Sequence, residues 1–476
     1  MYRNRTLPVL IVVALFFTSC STRVEDVPPN IILLMSDDQG WAQTGYYNHP
    51  VLETPNLDAM AENGLRLDRF YAGAPVCSPT RASVLTGRAP GRTGVPSHGY
   101  ALRLQEKTIA EALRAEGYAT GHYGKWHLNA LRGPGVPIFK DDPYGPAASG
   151  FERWVSVTNF FEIDPLMSDQ GEFREMKGTS SEVIVQKALE FIEKSKEEGK
   201  PFLAVIWDGS PHRPWLALSS DSAKFSSLEP KNQAHYGELA AFDRSVGILR
   251  DRLRELGVEE NTLLWYCSDN GGLPDVTPSS VAPLRGFKGS VWEGGLRVPA
   301  IIEWPAEIKP GKTSFPASTM DIFPTIMDIL DLPGEVVTDP VDGISIIPLF
   351  RDRVPERELG IPFRYTNRGA LIRQQYKLVA TDLSEGAFEL YDLEKDPVET
   401  TDVSGAFPEI FEEMKSAYLE WTASVDASVN GEDYPEGSVR ADHPEPEYWM
   451  RDPRYKPYLE EWVNRPEYEK RIRRMK

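Results

Sequence analysis

Asn30-Ile31-Ile32-Leu33-Leu34-Met35-Ser36 runs directly into Asp37-Asp38-Gln39-Gly40. Its apolar residues are continuous rather than alternating, which marks a strand buried on both faces, as in a parallel sheet. Residues 203–207 and 262–268 repeat the pattern, and 118–123 is a shorter, weaker instance. Helical segments lie between these runs. Thr54-Pro55 opens one that ends near Gly64, and Thr108 opens another that ends at Gly117. Residues 180–196 and 236–256 are longer and amphipathic, with Gly257 as a stop. Strands alternating with helices predict an α/β sandwich with a large, mostly parallel central sheet.

Polar clusters fall just after the strands: Asp37-Asp38, Lys125 with His127, His212, and Asp269-Asn270. Ligands of open α/β sheets bind outside the carboxyl ends of the strands, so clusters far apart in sequence converge on one cleft. Asp37 and Asp38 are adjacent carboxylates. Two such charges about 4 Å apart repel by roughly 4 kcal/mol at an effective dielectric of about 20, and a cation removes that repulsion. Side chains of a regular strand alternate faces, so both reach one ion only past the strand end, where Gln39-Gly40 permits a turn. Three carboxylates and one amide oxygen (Asp37, Asp38, Asp269, Asn270) suit a hard ion, Ca²⁺ or Mg²⁺, rather than zinc. Either pair alone reads as a solvated turn. Matching residues at two strand ends favour the metal.

Cys77-Ser78-Pro79-Thr80-Arg81 places a potential nucleophile just ahead of a helix start. Ser78 reads as the N-cap, Pro79 as the first helical residue and Gly87 as the stop. A helix N-terminus favours an anion, and Arg81 adds a planar donor fork one turn in. Together they point to chemistry on a sulfate or phosphate group. A lone cysteine would more simply be a small core residue.

The same run, extended through Thr86-Gly87-Arg88, resembles the signature of the type I sulfatases of the alkaline phosphatase-like superfamily, in which the cysteine is oxidised to formylglycine. Other family motifs follow in order. Gly117 to His127 resembles the second signature, Ser210-Pro211-His212-Arg213-Pro214 the Pro-His-X-Pro segment, and Leu284 to Gly289 with Trp292-Glu293-Gly294-Gly295 a further block. Residues 321–325 and 390–397 look like architectural family text. The resemblance implies a sulfuric ester hydrolase with formylglycine from Cys77 and one Ca²⁺ per chain, held by Asp37, Asp38, Asp269, Asn270 and the residue 77 side chain. It further implies that Arg81, Lys125 and Lys288 bind the sulfate, that His127 assists the formylglycine hydroxyls, and that His212 protonates the leaving alcohol. A formylglycine-generating enzyme would be a maturation partner, and a sulfated carbohydrate the expected substrate. The alternatives are a formylglycine-dependent phosphonate or phosphodiester hydrolase, or a silent glycan-binding surface lipoprotein. Trp126 reads as a cleft wall, and His122 lies in a motif without a functional role. His49, His98, His235 and His443 carry no motif and read as structural.

Composition bounds the rest. A formal net charge of -19 disfavours nucleic acid as a partner but not a small anion in a locally positive cleft. Arg3 and Arg5 precede an apolar stretch at 7–17, and Phe17-Thr18-Ser19-Cys20 resembles a lipoprotein cleavage box. Residues 1–20 are thus expected to be a signal segment, with a lipid at Cys20 tethering an exported protein in the bacterial periplasm or at the outer membrane. Phe17 stands where such a box usually has leucine, so ordinary signal cleavage nearby is the alternative. Cys267, in an apolar run, reads as core, and a Cys77–Cys267 disulfide is the weaker account. Residues 28–350 are expected to form the catalytic domain and 360–428 a small α+β subdomain with an antiparallel sheet. The stretch 429–476, rich in Glu, Pro, Tyr and Arg, is expected to be an extended or partly disordered tail.

Overall fold

A computed structural model describes residues 27–475 apart from Phe160, Glu162, Asp352 and Pro355, so the signal segment and Cys20 lie outside the described residues. Among the described residues, ten strands form one central sheet. In chain order they are β1 (Asn30–Ser36), β2 (Leu65–Leu67), β3 (Ala119–Lys125), β4 (Arg153–Val157), β5 (Leu166–Asp169), β6 (Glu172–Glu175), β7 (Phe202–Trp207), β8 (Thr262–Ser268), β9 (Ala300–Glu303) and β10 (Gly311–Thr313). Their spatial order is β10-β2-β9-β8-β1-β7-β3-β4-β5-β6. The centre, β8-β1-β7-β3-β4, is parallel throughout, and antiparallel strands β9 and β5 flank it.

Because β1 is apolar at every central position, it feeds two cores. Ile31, Leu33 and Met35 pack on one face with α2 (Cys77–Thr86) and α3 (Ile109–Ala115), through Val84, Leu85 and Leu113. Ile32 and Leu34 pack on the other with α1 (Pro55–Asn63), α4 (Ser180–Glu197) and α5 (Pro230–Leu256), through Leu57, Ile184 and Phe242. The sheet is thus buried on both sides, as its unbroken apolar strands require.

Beyond it, β11 (Ile361–Tyr365), β12 (Arg368–Arg373), β13 (Tyr376–Asp382) and β14 (Ala387–Asp392) form an antiparallel sheet. One face receives Met414 and Tyr418 of α6 (Pro408–Val429), and the other packs on Tyr71 and Leu296 of the larger unit.

The tail pairs an extended strand at Glu447–Tyr448 with Leu131–Arg132, but from Trp449 on it is compact and helical, contrary to the sequence expectation. After α6 it forms short helical turns that end in α7 (Glu469–Met475). Trp449, Tyr455, Trp462, Tyr468 and Ile472 bury themselves together against Leu131 and Val136. Aromatic burial on this scale offsets the entropy that a charged, proline-rich composition would otherwise leave in the chain.

Candidate active site

Sheet register builds the site. β1 and β8 pair with Ser36 opposite Ser268, so Asp37 and Asp269 leave adjacent strand ends together. Trp207 lies opposite both Met35 and Gly124, which brings Asp208 and Lys125 to the same edge. The Asp37 amide donates to the Ser210 carbonyl at 2.9 Å, and the Asp208 amide to the Met35 carbonyl at 2.8 Å. The turn after β1 is made by Asp38 itself, at φ 65, rather than by Gly40. Aspartate tolerates this left-handed region better than most residues. Gly40 serves close approach instead, since a Cβ there would lie 2.0 Å from the Ser280 carbonyl oxygen.

Cys77 is the first residue of α2 and is fully buried. The N-cap is Val76, not Ser78 as the sequence suggested. Ser78 Oγ is engaged elsewhere, accepting from the Gly99 amide at 2.9 Å. Gly87 ends the helix at φ 70, as expected. Cys77 Sγ and one carboxylate oxygen each from Asp37 and Asp269 all lie within 4.8 Å of one another. Asp37, Asp38 and His212 form a second set within the same distance.

Cations surround these acids. Lys125 Nζ donates to Asp37 Oδ2 at 2.5 Å, and Lys288 Nζ to Asp38 Oδ1 at 2.5 Å. Arg81 is fully buried, with Nη2 2.7 Å from Asp269 Oδ2 and Nη1 2.9 Å from the Lys125 carbonyl oxygen. Its contacts therefore fix Asp269 and the end of β3. Burial raises the Asp37 carboxyl, yet Lys125 and His212 outweigh it and hold the group at about 2. Burial and the Asp37 charge push Asp269 well up. Burial also raises the Cys77 thiol, but Lys125, Lys288 and His127 hold it well below the usual thiol range.

The donor set fits a hard cation. Asp37 Oδ1 and Asn270 Oδ1 are buried acceptors that receive no hydrogen bond. Asn270 Nδ2 donates to Asp38 Oδ1 at 2.8 Å, so the amide stands beside the carboxylates. A divalent ion would satisfy the two orphaned oxygens and relieve the repulsion that raises Asp269.

His212 sits at the rim, its side chain 18% exposed and its Nε2 3.9 Å from Asp38 Oδ2. Its Nδ1 lies 2.6 Å from the Arg213 carbonyl oxygen, which can only accept. Nδ1 therefore carries hydrogen, and Nε2 is the nitrogen turned to the site. His127, at φ 58, is buried against Cys77, and burial followed by the Lys125 charge lowers it to about 3.

Two residues escaped sequence reasoning. His98, read as structural, has Nδ1 3.5 Å from Cys77 Sγ and stacks on His127 with ring centroids 6.4 Å apart. Nothing in its local sequence signals this, because the contact depends on how the loop after α2 returns. Asp208 follows β7 as the other acids follow their strands, so the strand-end pattern could have found it. Its Oδ1 accepts from the Gly209 and Ser210 amides, shaping the turn that delivers His212, and burial raises its carboxyl to about 6. The remaining structural readings agree with the contacts. His122 is enclosed by Trp126, Phe151 and Trp207, His235 bonds Gln43, His49 accepts from the Leu52 amide and His443 packs on Tyr144. Cys267 is buried in the core, and both it and Cys77 are free thiols.

A cysteine at a helix start, buried oxygen donors at a strand edge and converging cations fit a hydrolase of anionic esters on an alkaline phosphatase-like fold. The family model described as Sulfatase matches residues 29–332, and that for N-sulphoglucosamine sulphohydrolase, C-terminal, matches 287–422. Human arylsulfatase A is 31% identical over 84% of this chain and 89% of its own length. N-acetylgalactosamine-6-sulfatase of Sus scrofa is 34% identical over 70% of this chain and 68% of its own. The solved structure of Ps i-CgsB in complex with k-i-k-neocarrahexaose shares the fold at TM-score 0.75 and 24% identity, over 94% of this chain and 99% of that one. The chain belongs to the sulfatase family and is an enzyme that hydrolyses sulfate esters.

Proposed function

We propose that the enzyme cleaves a sulfate monoester on a carbohydrate, using formylglycine made from Cys77 and one Ca²⁺ held by Asp37, Asp38, Asp269, Asn270 and residue 77. The observation that carries this reading is the placement of Cys77 within 4.8 Å of Asp37 and Asp269 oxygens at a helix start. The likeness to an N-acetylgalactosamine-6-sulfatase supports a sugar as the substrate class. Ca²⁺ would supply a Lewis acid that neutralises charge on the sulfuryl oxygens, and the aldehyde, once hydrated, an oxygen nucleophile.

The chain's own residues do the rest. Lys125 and Lys288 turn from their carboxylate partners to the sulfate oxygens and stabilise charge there. Arg81 holds Asp269 and the β3 end in place. His127, beside residue 77, receives a proton from that side chain. His212 donates its Nε2 proton to the departing alcohol oxygen. Burial, followed by the Lys288 charge, lowers His212 in the structure, and a bound anion opposes that shift. Maturation requires a formylglycine-generating enzyme, and the 1–20 segment supports export with a lipid at Cys20.

Intact-mass analysis of the peptide containing residue 77, from protein made in a host able to modify it, tests the nucleophile. The thiol should be replaced by an aldehyde, and Cys77→Ala should lower turnover of 4-methylumbelliferyl sulfate by about four orders of magnitude. A fully active alanine variant sinks the assignment. Exhaustive chelation should also abolish turnover, with Ca²⁺ restoring it.

A further inference from the structure

A cleft of about 670 Å³ opens beside His212, lined by Arg213, Trp215, Lys231, Asp275 and Arg471. Distant parts of the chain meet there: the segment after β7, the start of α5, the loop after β8, and α7 at the end of the tail. Three cations face one carboxylate, in a chain whose formal net charge is -19. A positive wall on so acidic a protein concentrates anions at one place.

The wall is built rather than incidental. Trp215 Nε1 donates to the Pro211 carbonyl at 2.8 Å, and the Arg213 guanidinium lies 4.8 Å from the Trp215 ring centroid. Arg213 also pairs with Asp275 at 2.8 Å. Arg471 is exposed on α7 between Tyr468 and Ile472, both buried in the aromatic cluster of the tail. Tyr468 Oη donates to the Gly135 carbonyl at 2.5 Å and locks the helix to the loop beyond β3. A Cβ at Gly133 would come within 3.5 Å of Arg471 Nη1, so the guanidinium packs over that loop. The family-model matches end at residue 422, and the tail that supplies Arg471 lies outside them.

We propose that this cleft is a second anion subsite. It takes a sulfate or carboxylate on the sugar next to the one whose ester is cleaved, so the enzyme selects multiply charged oligosaccharides over monosulfated ones. This rests on the reading of the substrate as a carbohydrate sulfate. Arginine forks bind either anion bidentately, and Lys231 adds a point charge.

The test measures binding to the full-length Cys77→Ala protein by calorimetry, with three tetrasaccharides of one backbone: monosulfated, polysulfated, and monosulfated with uronic carboxylates. Extra anionic groups should lower Kd by about tenfold or more at low salt. Whichever of sulfate and carboxylate gives the larger gain identifies the subsite's anion. Lys231→Glu and Arg471→Glu should each remove most of the gain, and Asp275→Asn should enlarge it. Equal Kd values for singly and multiply charged ligands overturn the subsite. So does an undiminished gain in the Lys231→Glu/Arg471→Glu double variant with a parental melting curve. The sulfatase reading is tested apart from this, by turnover of 4-methylumbelliferyl sulfate with the unsubstituted protein.

Discussion

His212 shows how one hydrogen bond decides a role. Its Nδ1 is committed to the Arg213 carbonyl, so only Nε2 can exchange a proton with a bound ester. A general acid matters in proportion to the basicity of the leaving oxygen. His212→Ala should therefore lower kcat by about a hundredfold or more for a sugar sulfate, whose alkoxide needs a proton. With 4-nitrophenyl sulfate, whose phenolate leaves unaided, the loss should stay within about tenfold. Parallel assays of the two substrates decide it, and equal losses would assign His212 to binding instead. His98 marks the opposite case. It touches Cys77, yet Ser97-His98-Gly99 carries no pattern that distinguishes it from a surface histidine. A contact made by loop return leaves no trace in local sequence, whereas Asp37 and Asp269 were legible because each follows an unbroken apolar strand.

Elements repeat that contrast. β1 and β8 begin and end where the sequence places them, because continuous apolar residues meet a polar pair, Asp37-Asp38 or Asp269-Asn270, at a sharp boundary. α5 begins at Pro230, ahead of the expected 236, because Lys231, Asn232 and Gln233 show no apolar periodicity. The tail was misread because Trp449, Tyr455 and Trp462 sit among prolines and charges at no regular spacing, so neither helix nor strand period reveals their cluster. Gly124 is where an element's geometry reaches the chemistry. At φ +104 it is the last but one residue of β3, just before Lys125, and a Cβ there would lie 2.0 Å from the Trp207 carbonyl oxygen. Gly124→Ala combines left-handed strain with a backbone clash. It should destabilise the protein by about 3 kcal/mol and displace Lys125 from the site. Denaturant unfolding together with sulfate inhibition constants checks both parts, and a stable variant with parental sulfate affinity would refute them.

At the scale of the whole molecule, the two sheets are joined through a buried charge. Lys377 of β13 stands 3.0 Å from Glu293 Oε1 and 2.8 Å from Glu399 Oε1, with all three side chains excluded from water. The Glu293 amide donates to Glu399 Oε2 at 2.7 Å, and Arg285 donates to the Glu399 carbonyl at 2.7 Å. Thus the small subdomain grips both ends of the loop that carries Lys288. Burial raises the Glu399 carboxyl from 4.5 to about 7, with Lys377 opposing and Glu293 reinforcing the shift. The folded state therefore keeps a proton on Glu399 that the unfolded chain releases. That contribution is complete below pH 4.5 and is lost as pH rises toward about 7, by about 3 kcal/mol in all. Burial raises Glu293, but Lys377, Arg297 and Arg69 together outweigh it and leave the carboxyl lowered, so its own loss occurs at the acid end, outside this window. Glu399→Gln keeps an acceptor for the Glu293 amide while removing the titration. Asp208, Asp269 and the buried histidines titrate alike in both proteins, so the stability of Glu399→Gln relative to the parent should rise by about 3 kcal/mol across the window. Urea midpoints taken at half-unit steps from pH 4.5 to 7.5 read the difference, and parallel curves for the two proteins would place the titrating group elsewhere.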